Sequence, residues 1–249
     1  MTALSQLPAS PVLAATVAIA LVAGIARGFS GFGAALIFIP LASAILGPRL
    51  AAPILLLVDA VMTVPLILPA WRIAHRREIA WLAIGAVFGS PLGGWLLLRL
   101  DGVTLRWAMC ALSVALLCLI ASGWRYRGSP TAPLSVAVGA TSGLFSGVAQ
   151  MGGPPVVAYW LGGAIPAARV RANIVGFFAI SSLISGAVYL AGGLLSVEVL
   201  LLSVLVAPTY GLGLWAGAHL FGRASETTFR HACLALIALA AILGLPVWD

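Results

Sequence analysis

Long apolar runs, separated by short stretches that hold arginine and other polar residues, dominate the chain. A helix needs about 20 mainly apolar residues to cross the hydrocarbon core of a bilayer. Six runs have that length: Ala51–Ala70, Ile79–Leu98, Thr104–Gly123, Ala172–Ala191, Val197–Leu220 and Phe229–Val247. The pattern predicts a transmembrane helix at each of them.

Two further apolar stretches, Pro11–Leu46 and Leu134–Ile165, are too long for one span and are interrupted near their middles by glycine. The arms on either side of each interruption have about 15 residues, or about 23 Å of helix. That length is short for a hydrocarbon core of about 30 Å. We therefore expect each stretch to form a hairpin of two short or re-entrant helices.

The composition excludes several classes of protein. Hydrophobic residues make up 62% of the 249 residues and charged residues 8%, whereas soluble domains are about 45–50% apolar and about 25% charged. The 13 basic residues, all arginine, give a net charge of +7, but they are spread through apolar sequence and form no basic patch. We expect a polytopic membrane protein whose partner is the lipid bilayer and not a nucleic acid.

The arginines also predict the orientation, because short cytoplasmic loops carry an excess of basic residues. If the loop with Arg76 is cytoplasmic and each glycine-broken stretch returns the chain to its starting side, nine arginines lie inside and three outside. The inner set is Arg72, Arg76, Arg77, Arg125, Arg127, Arg169, Arg171, Arg223 and Arg230; the outer set is Arg49, Arg99 and Arg106; Arg27 lies at a hairpin tip. Both termini are then predicted to be non-cytoplasmic.

The chain also repeats itself, which predicts two related halves, 1–128 and 129–249, within one integrated membrane domain. GIARGFSG at 24–31 resembles GATSGLFSG at 139–147, and each is expected to open the turn of a hairpin. Three more pairs follow in the same order: 47–53 with 166–173, Pro91-x-Gly-Gly with Pro208-x-x-Gly, and 105–110 with 229–233. A hairpin plus three spans per half gives eight to ten membrane segments and an inverted repeat, an architecture of many secondary transporters. Chance similarity between apolar segments is the alternative.

The hairpin tips are the candidate substrate site. A new helix begins after each break, and a helix start presents unpaired N–H groups and the positive end of the helix dipole. Two such ends near the membrane midplane would hold an anion. The candidate ligands are Arg27, Gly31, Phe32, Gly33, Gln150, Met151, Gly152, Gly153 and Pro154. The alternative is that these glycines serve close helix packing, as small residues do in membranes.

Asp59 lies in the middle of an apolar run, where a carboxylate is unfavourable by roughly 2.5–3.5 kcal/mol. Because burial favours the protonated form of a carboxyl group, Asp59 could carry a proton and couple transport to it. It could instead pair with an arginine such as Arg27, or be a tolerated position. Asn173, Ser181 and Ser185 could form a polar stripe on one helix, with Asn173 as a further candidate ligand, although serine in membrane helices is more often a packing residue.

No motif in the chain predicts an enzyme. There is no HExxH, no GxSxG and no P-loop, since the chain contains no lysine. We expect no metal and no cofactor.

The broken repeat, the apolar run after the first break with Pro40, and the Gly-Gly-Pro that follows the second break resemble the sulfite exporter TauE/SafE family. The resemblance extends from Gly24 to the C-terminus, but Gly33-Ala34-Ala35 stands where the family has a run of glycines. It implies export of sulfite or organosulfonate anions across a bacterial inner membrane.

The sequence is compatible with two kinds of function. The first is a secondary anion exporter, coupled to protons through Asp59 or uncoupled, for a sulfur-containing or another small anion. The second is a membrane module that transports nothing, such as an assembly subunit or a sensor. The particular anion and the formation of a homo-oligomer stay open in both.

Overall fold

The computed structural model describes residues 8–30, 33–161, 166–220 and 226–247. Within these ranges the protein is all-helical, without a β-strand. The helices are α1 (Ser10–Ser30), α2 (Ala34–Leu46), α3 (Pro48–Ile73), α4 (Arg76–Arg99), α5 (Gly102–Ser122), α6 (Ala132–Ala149), α7 (Gly153–Trp160), α8 (Ala167–Ala191), α9 (Val197–Leu220) and α10 (Glu226–Leu243). By length and composition, seven of them can cross a membrane: α1, α3, α4, α5, α6, α8 and α9. The predicted polytopic all-α membrane fold is confirmed.

Helices begin and end at residues with a local reason to do so. α3 begins at Pro48, directly after Gly47 at φ 86°, because proline fits a first turn in which its missing N–H has no intrahelical partner. The carboxylate of Asp101 accepts a hydrogen bond from the N–H of Thr104 and caps α5. α5 then ends at Ser122, directly before Gly123, whose φ of 66° lies in the left-handed region.

The expectation of two similar arms of about 15 residues in each hairpin is wrong. α1 has 21 residues and α2 has 13, whereas α6 has 18 and α7 only 8. Each hairpin therefore pairs a helix of membrane-spanning length with a short one. α1 includes the described residues of its glycine motif and ends at Ser30, and α6 runs through its whole motif and ends at Ala149.

The glycines of those motifs that the structure describes lie inside α1 and α6, where they pack helices together. In the second hairpin the turn follows the motif, after Ala149, and does not begin within it. In α6, an added Cβ on Gly139, Gly143 or Gly147 would collide with the backbone of α4. Conversely, Gly85 and Gly89 of α4 lie against backbone carbonyl oxygens of α6. Small residues on both helices thus permit direct backbone contact.

The same contacts give the relative directions of the helices. Gly85 lies against Val136, Gly89 against Ala140, and Gly93 against Leu144, so α4 and α6 run parallel. Gly24 lies against Tyr210 and Gly28 against Leu214, so α1 and α9 run parallel as well.

The direction of α8 completes the topology. Gly94 contacts Val188 and Gly192 contacts Leu98, so α8 runs parallel to α4 and therefore to α6. Since α6 and α8 start at the same end of the bundle, the chain between them, which includes α7, returns to that end.

α3 runs antiparallel to α8, because Gly176 contacts Trp71 and Gly186 lies near Leu56. α9 follows α8 after a short connection and so runs back alongside α3. α1 is parallel to α9 and therefore to α3, so α2 also returns the chain to the end at which α1 starts.

These directions place the arginines at two opposite ends. Arg72, Arg76, Arg77, Arg125, Arg127, Arg169 and Arg171 lie at or beyond helix ends on one side, called the Arg76 end. Arg49, Arg99 and Arg106 lie at the other, the Arg99 end, where Arg49 donates to the carbonyl oxygens of Leu98 and Leu100. Arg223 lies outside the described residues. That the Arg76 end is cytoplasmic stays a prediction.

The two halves pack by matching pairs of helices. α1 packs against α9, and α6 packs against α4 in the same way. In addition, α3 packs against α8, and α5 packs against α10. A large buried apolar cluster surrounds α1, α2, α3 and α9, and a smaller one joins α4, α7 and α8. The boundary near residue 128 and the inverted relation of the halves stay predictions.

Candidate functional site

A cavity of about 60 Å³ lies inside the bundle. It is lined by the C-terminal ends of α1 and α6, the N-terminal ends of α2 and α7, and the middles of α3 and α8. Because Asp59 and Ser181 lie about halfway along their long helices, the cavity is at mid-depth. One water molecule needs roughly 10–15 Å³ of such a volume, so there is room for several waters or a small ion.

The start of α2 opens directly onto this cavity. Gly33 precedes the helix with a φ of 106°, in a left-handed conformation that glycine adopts without steric cost. Gly33, Ala34, Ala35 and Leu36 all line the cavity. The first N–H groups of a helix have no partner within it, so α2 supplies backbone donors and a positive dipole end.

The start of α7 faces the same cavity through Gly153 and Pro154, but it is a poorer source of donors. Pro154 and Pro155 have no N–H group, although they fit the first turn well. Of the two backbone N–H groups left at this end, those of Gly152 and Gly153, only that of Gly153 belongs to a residue that lines the cavity. The starts of α2 and α7 therefore face the same cavity, but α2 offers more backbone hydrogen-bond donors than α7.

Gln150 turns the chain between α6 and α7. Its φ of 56° is the one positive value at a non-glycine residue in the described part of the chain. The side-chain nitrogen donates to the carbonyl oxygen of Ser146 at 2.8 Å and to the hydroxyl of Tyr189 at 3.1 Å. Tyr189 in turn donates to the carbonyl oxygen of Gly147 at 2.9 Å. These bonds fix the end of α6 against α8.

Arg27 and Asp59 form an ion pair on the cavity wall. Nε of Arg27 lies 3.0 Å from Oδ1 of Asp59, and Nη2 lies 3.1 Å from Oδ2, so the pair is bidentate. The hydroxyl of Tyr210 donates to the same Oδ1 at 2.6 Å. The side chain of Arg27 is 13% exposed and that of Asp59 28%. This triad joins α1, α3 and α9.

The structure brings together most of the residues that the sequence singles out. Lining the cavity are Arg27, Gly33, Asp59, Gln150, Met151, Gly153 and Pro154. Gly152 lies behind the wall, against Ser142 and Ser146. Gly31 and Phe32 lie outside the described residues.

Asn173 is not part of the cavity lining. It lies near the Arg76 end, where its Oδ1 accepts a hydrogen bond from the backbone N–H of His75 at 2.7 Å. The polar stripe on α8 is thus divided: Ser181 lines the cavity with Ser182, while Asn173 holds the turn between α3 and α4.

Sequence reasoning misses Tyr210 and Tyr189, which complete the two polar networks. A signal exists in the sequence, because the chain has four tyrosines and these two lie inside predicted membrane spans. A buried tyrosine hydroxyl usually finds a hydrogen-bond partner. Which partner it finds depends on how α8 and α9 pack, and the local sequence does not carry that information.

The fold and the cavity define a polytopic membrane protein with discontinuous helices that meet at a buried polar site, an arrangement found in many secondary transporters. The family described as Sulfite exporter TauE/SafE matches the chain over residues 16–243. The protein belongs to this family of membrane transporters, which confirms the resemblance noted from the glycine motifs. No match was found among curated proteins or among solved structures.

Proposed function

We propose that the protein is a secondary transporter that exports sulfite or an organosulfonate anion across a bacterial inner membrane. The observation that carries the proposal is that the starts of α2 and α7 and the side chain of Arg27 line one cavity at mid-depth. Helix starts favour negative charge through their free N–H groups and their dipoles. Membership in the TauE/SafE family adds the sulfur chemistry, which geometry alone does not supply.

The anion would lie between the two helix starts, held mainly by α2 and by Arg27. α7 contributes less, because its prolines remove two donors. Gln150, Ser181 and Ser182 add polar side chains to the wall. Asp59 would couple the anion to protons, and the two halves would be inverted copies related across the membrane midplane.

Flux into liposomes tests this proposal. Liposomes that contain the purified protein should take up sulfite faster than protein-free liposomes. Uptake of sulfoacetate, thiosulfate and sulfate, measured in parallel, ranks the substrates. Arg27→Gln should reduce the flux, whereas Glu198→Gln, at the start of α9 and far from the cavity, should not. If the wild-type protein moves none of the four anions, a membrane module without transport activity becomes the better explanation.

A further inference from the structure

The cavity already contains an anion of its own. Among the lining residues that the structure describes, Arg27 is the cationic side chain and Asp59 the anionic one. The carboxylate takes two guanidinium nitrogens of Arg27 in bidentate geometry. In this state the charge of Arg27 is balanced by the protein itself, so a substrate anion would meet a site whose cation is already engaged.

We propose that the carboxylate of Asp59 and the transported anion compete for Arg27, and that a proton taken up by Asp59 allows the anion to bind. The inference rests on the proposed function and names how its site is controlled. The proton adds to a carboxylate oxygen of Asp59, and no other covalent bond changes. Each bound anion is then accompanied by one proton, so the site with a bound monoanion carries the same net charge as the empty site.

Tyr210 is suited to keep Asp59 in place through this change. A phenolic hydroxyl can donate a hydrogen bond or accept one. It donates to the carboxylate at 2.6 Å in the paired state, and it can accept from the carboxylic acid once Asp59 is protonated. Tyr210 is therefore a positioning residue that can stay hydrogen-bonded to Asp59 in both protonation states of the carboxyl group.

Arg27 from α1 and Tyr210 from α9 are the titratable groups that face Asp59. α2 contributes Leu36 to the same wall, and α8 contributes Ser181 and Ser182, none of which titrates near neutral pH. Ser146 near the end of α6 and Gln150 in the turn that follows also line the cavity, and both are neutral. The proton that is taken up when the anion binds is therefore assigned to Asp59.

The test is anion binding to purified protein as a function of pH, by titration calorimetry. The probes are sulfate, thiosulfate and methanesulfonate, because sulfite itself takes up protons near neutral pH and would obscure the effect. For a probe that binds, the affinity should rise as the pH falls, by about tenfold per pH unit where one proton is linked to one anion. Binding in weakly buffered solution should remove protons from the medium.

Three variants separate the roles. Asp59→Asn should bind the anion tightly with no pH dependence, whereas Glu198→Gln, the matched carboxyl-to-amide change outside the cavity, should keep the wild-type profile. Tyr210→Phe should keep the slope but tighten binding at pH 8 by about tenfold, since the charged carboxylate loses a donor. Arg27→Gln should abolish binding.

The outcomes distinguish this inference from the proposed function. If none of the three anions binds the wild-type protein at any pH and sulfite flux is absent as well, both fail. If an anion binds with the same affinity at all pH values, or if Asp59→Asn retains the wild-type slope, only the competition between Asp59 and the anion is overturned. Binding that survives Arg27→Gln also overturns it and leaves the helix starts as the site.

Discussion

The carbonyl oxygen of Gly152 accepts a hydrogen bond from the hydroxyl of Ser142 at 2.7 Å, which ties the start of α7 to the body of α6. A Cβ on Gly152 would also collide with the backbone of Ser142. The two adjacent glycines therefore differ, because Gly153 lines the cavity while Gly152 is a packing residue.

Gly153→Leu should abolish anion transport while the protein stays folded in detergent, because the new side chain would enter the cavity. Gly152→Leu should instead lower the yield and the thermal stability of the protein. Size-exclusion profiles and liposome flux, with Val247→Leu as a control, separate the two effects. Loss of folding in both glycine variants would mean that this tip is only a packing site.

Ala35→Pro should weaken anion binding by about tenfold or more, since it removes one backbone donor at the start of α2 and hydrogen bonds to charged groups contribute about 1.5–3 kcal/mol. The helix should tolerate the change, because α7 carries Pro154 at the corresponding second position. Ala35→Val is the matched control with similar bulk and an intact N–H. Equal anion binding by both variants would show that the backbone N–H of residue 35 does not contact the anion.

Asp59→Asn should lower the free energy of unfolding by about 2–3 kcal/mol, which is below the 3–5 kcal/mol typical of a fully buried pair because Asp59 is 28% exposed. The loss arises from the charge of Arg27 that is left without its carboxylate. Adding Arg27→Gln should recover part of the stability. Chemical unfolding in detergent measures the stabilities of the wild type, the single variant and the double variant. A double variant no more stable than Asp59→Asn would contradict the proposed role of the unpaired Arg27 charge.

Gly89→Ala should destabilise the protein by about 1–3 kcal/mol, the usual cost of excess volume in a packed interior. Its Cβ would overlap the carbonyl oxygen of Ala140. Gly102→Ala is the control, since a Cβ there meets no atom within 4 Å. Thermal unfolding of the two variants should differ clearly, and similar melting temperatures would argue against the direct backbone contact of α4 and α6.

A reporter fused after Asp249 should be non-cytoplasmic, and one inserted near Arg76 cytoplasmic. The expectation follows from the arginines gathered at the Arg76 end and the positive-inside rule. Paired phosphatase and fluorescent-protein fusions give opposite signals on the two sides. A cytoplasmic signal from the C-terminal fusion would refute this orientation.

The positions of the long helices follow from the sequence because a span is a local property. Val197–Leu220, for example, is predicted from its apolar length alone and is found with the same bounds. Asp59 could also be matched with Arg27 as one alternative, since a carboxylate in a membrane needs a partner.

The glycine motifs show why the rest could not be predicted. Glycine forms a turn at Gly33, whereas Gly28 and Gly143 permit close contact between helices. The residues around these positions do not distinguish the two roles. Only the packing of α1 on α9 and of α6 on α4 decides between them. The same long-range packing decides that Tyr210 reaches Asp59.

The direct backbone contacts within the pairs α1–α9 and α4–α6 have a mechanical consequence. Where no layer of side chains separates two helices, sliding would force backbone atoms together, so we expect each pair to move as one rigid body. If the cavity opens to alternate sides during transport, we expect the movement to occur between these bodies, at α3 and α8. Asp59 on α3 contacts both members of the α1–α9 pair, through Arg27 and Tyr210, so these contacts would have to break before α3 could move away from that pair.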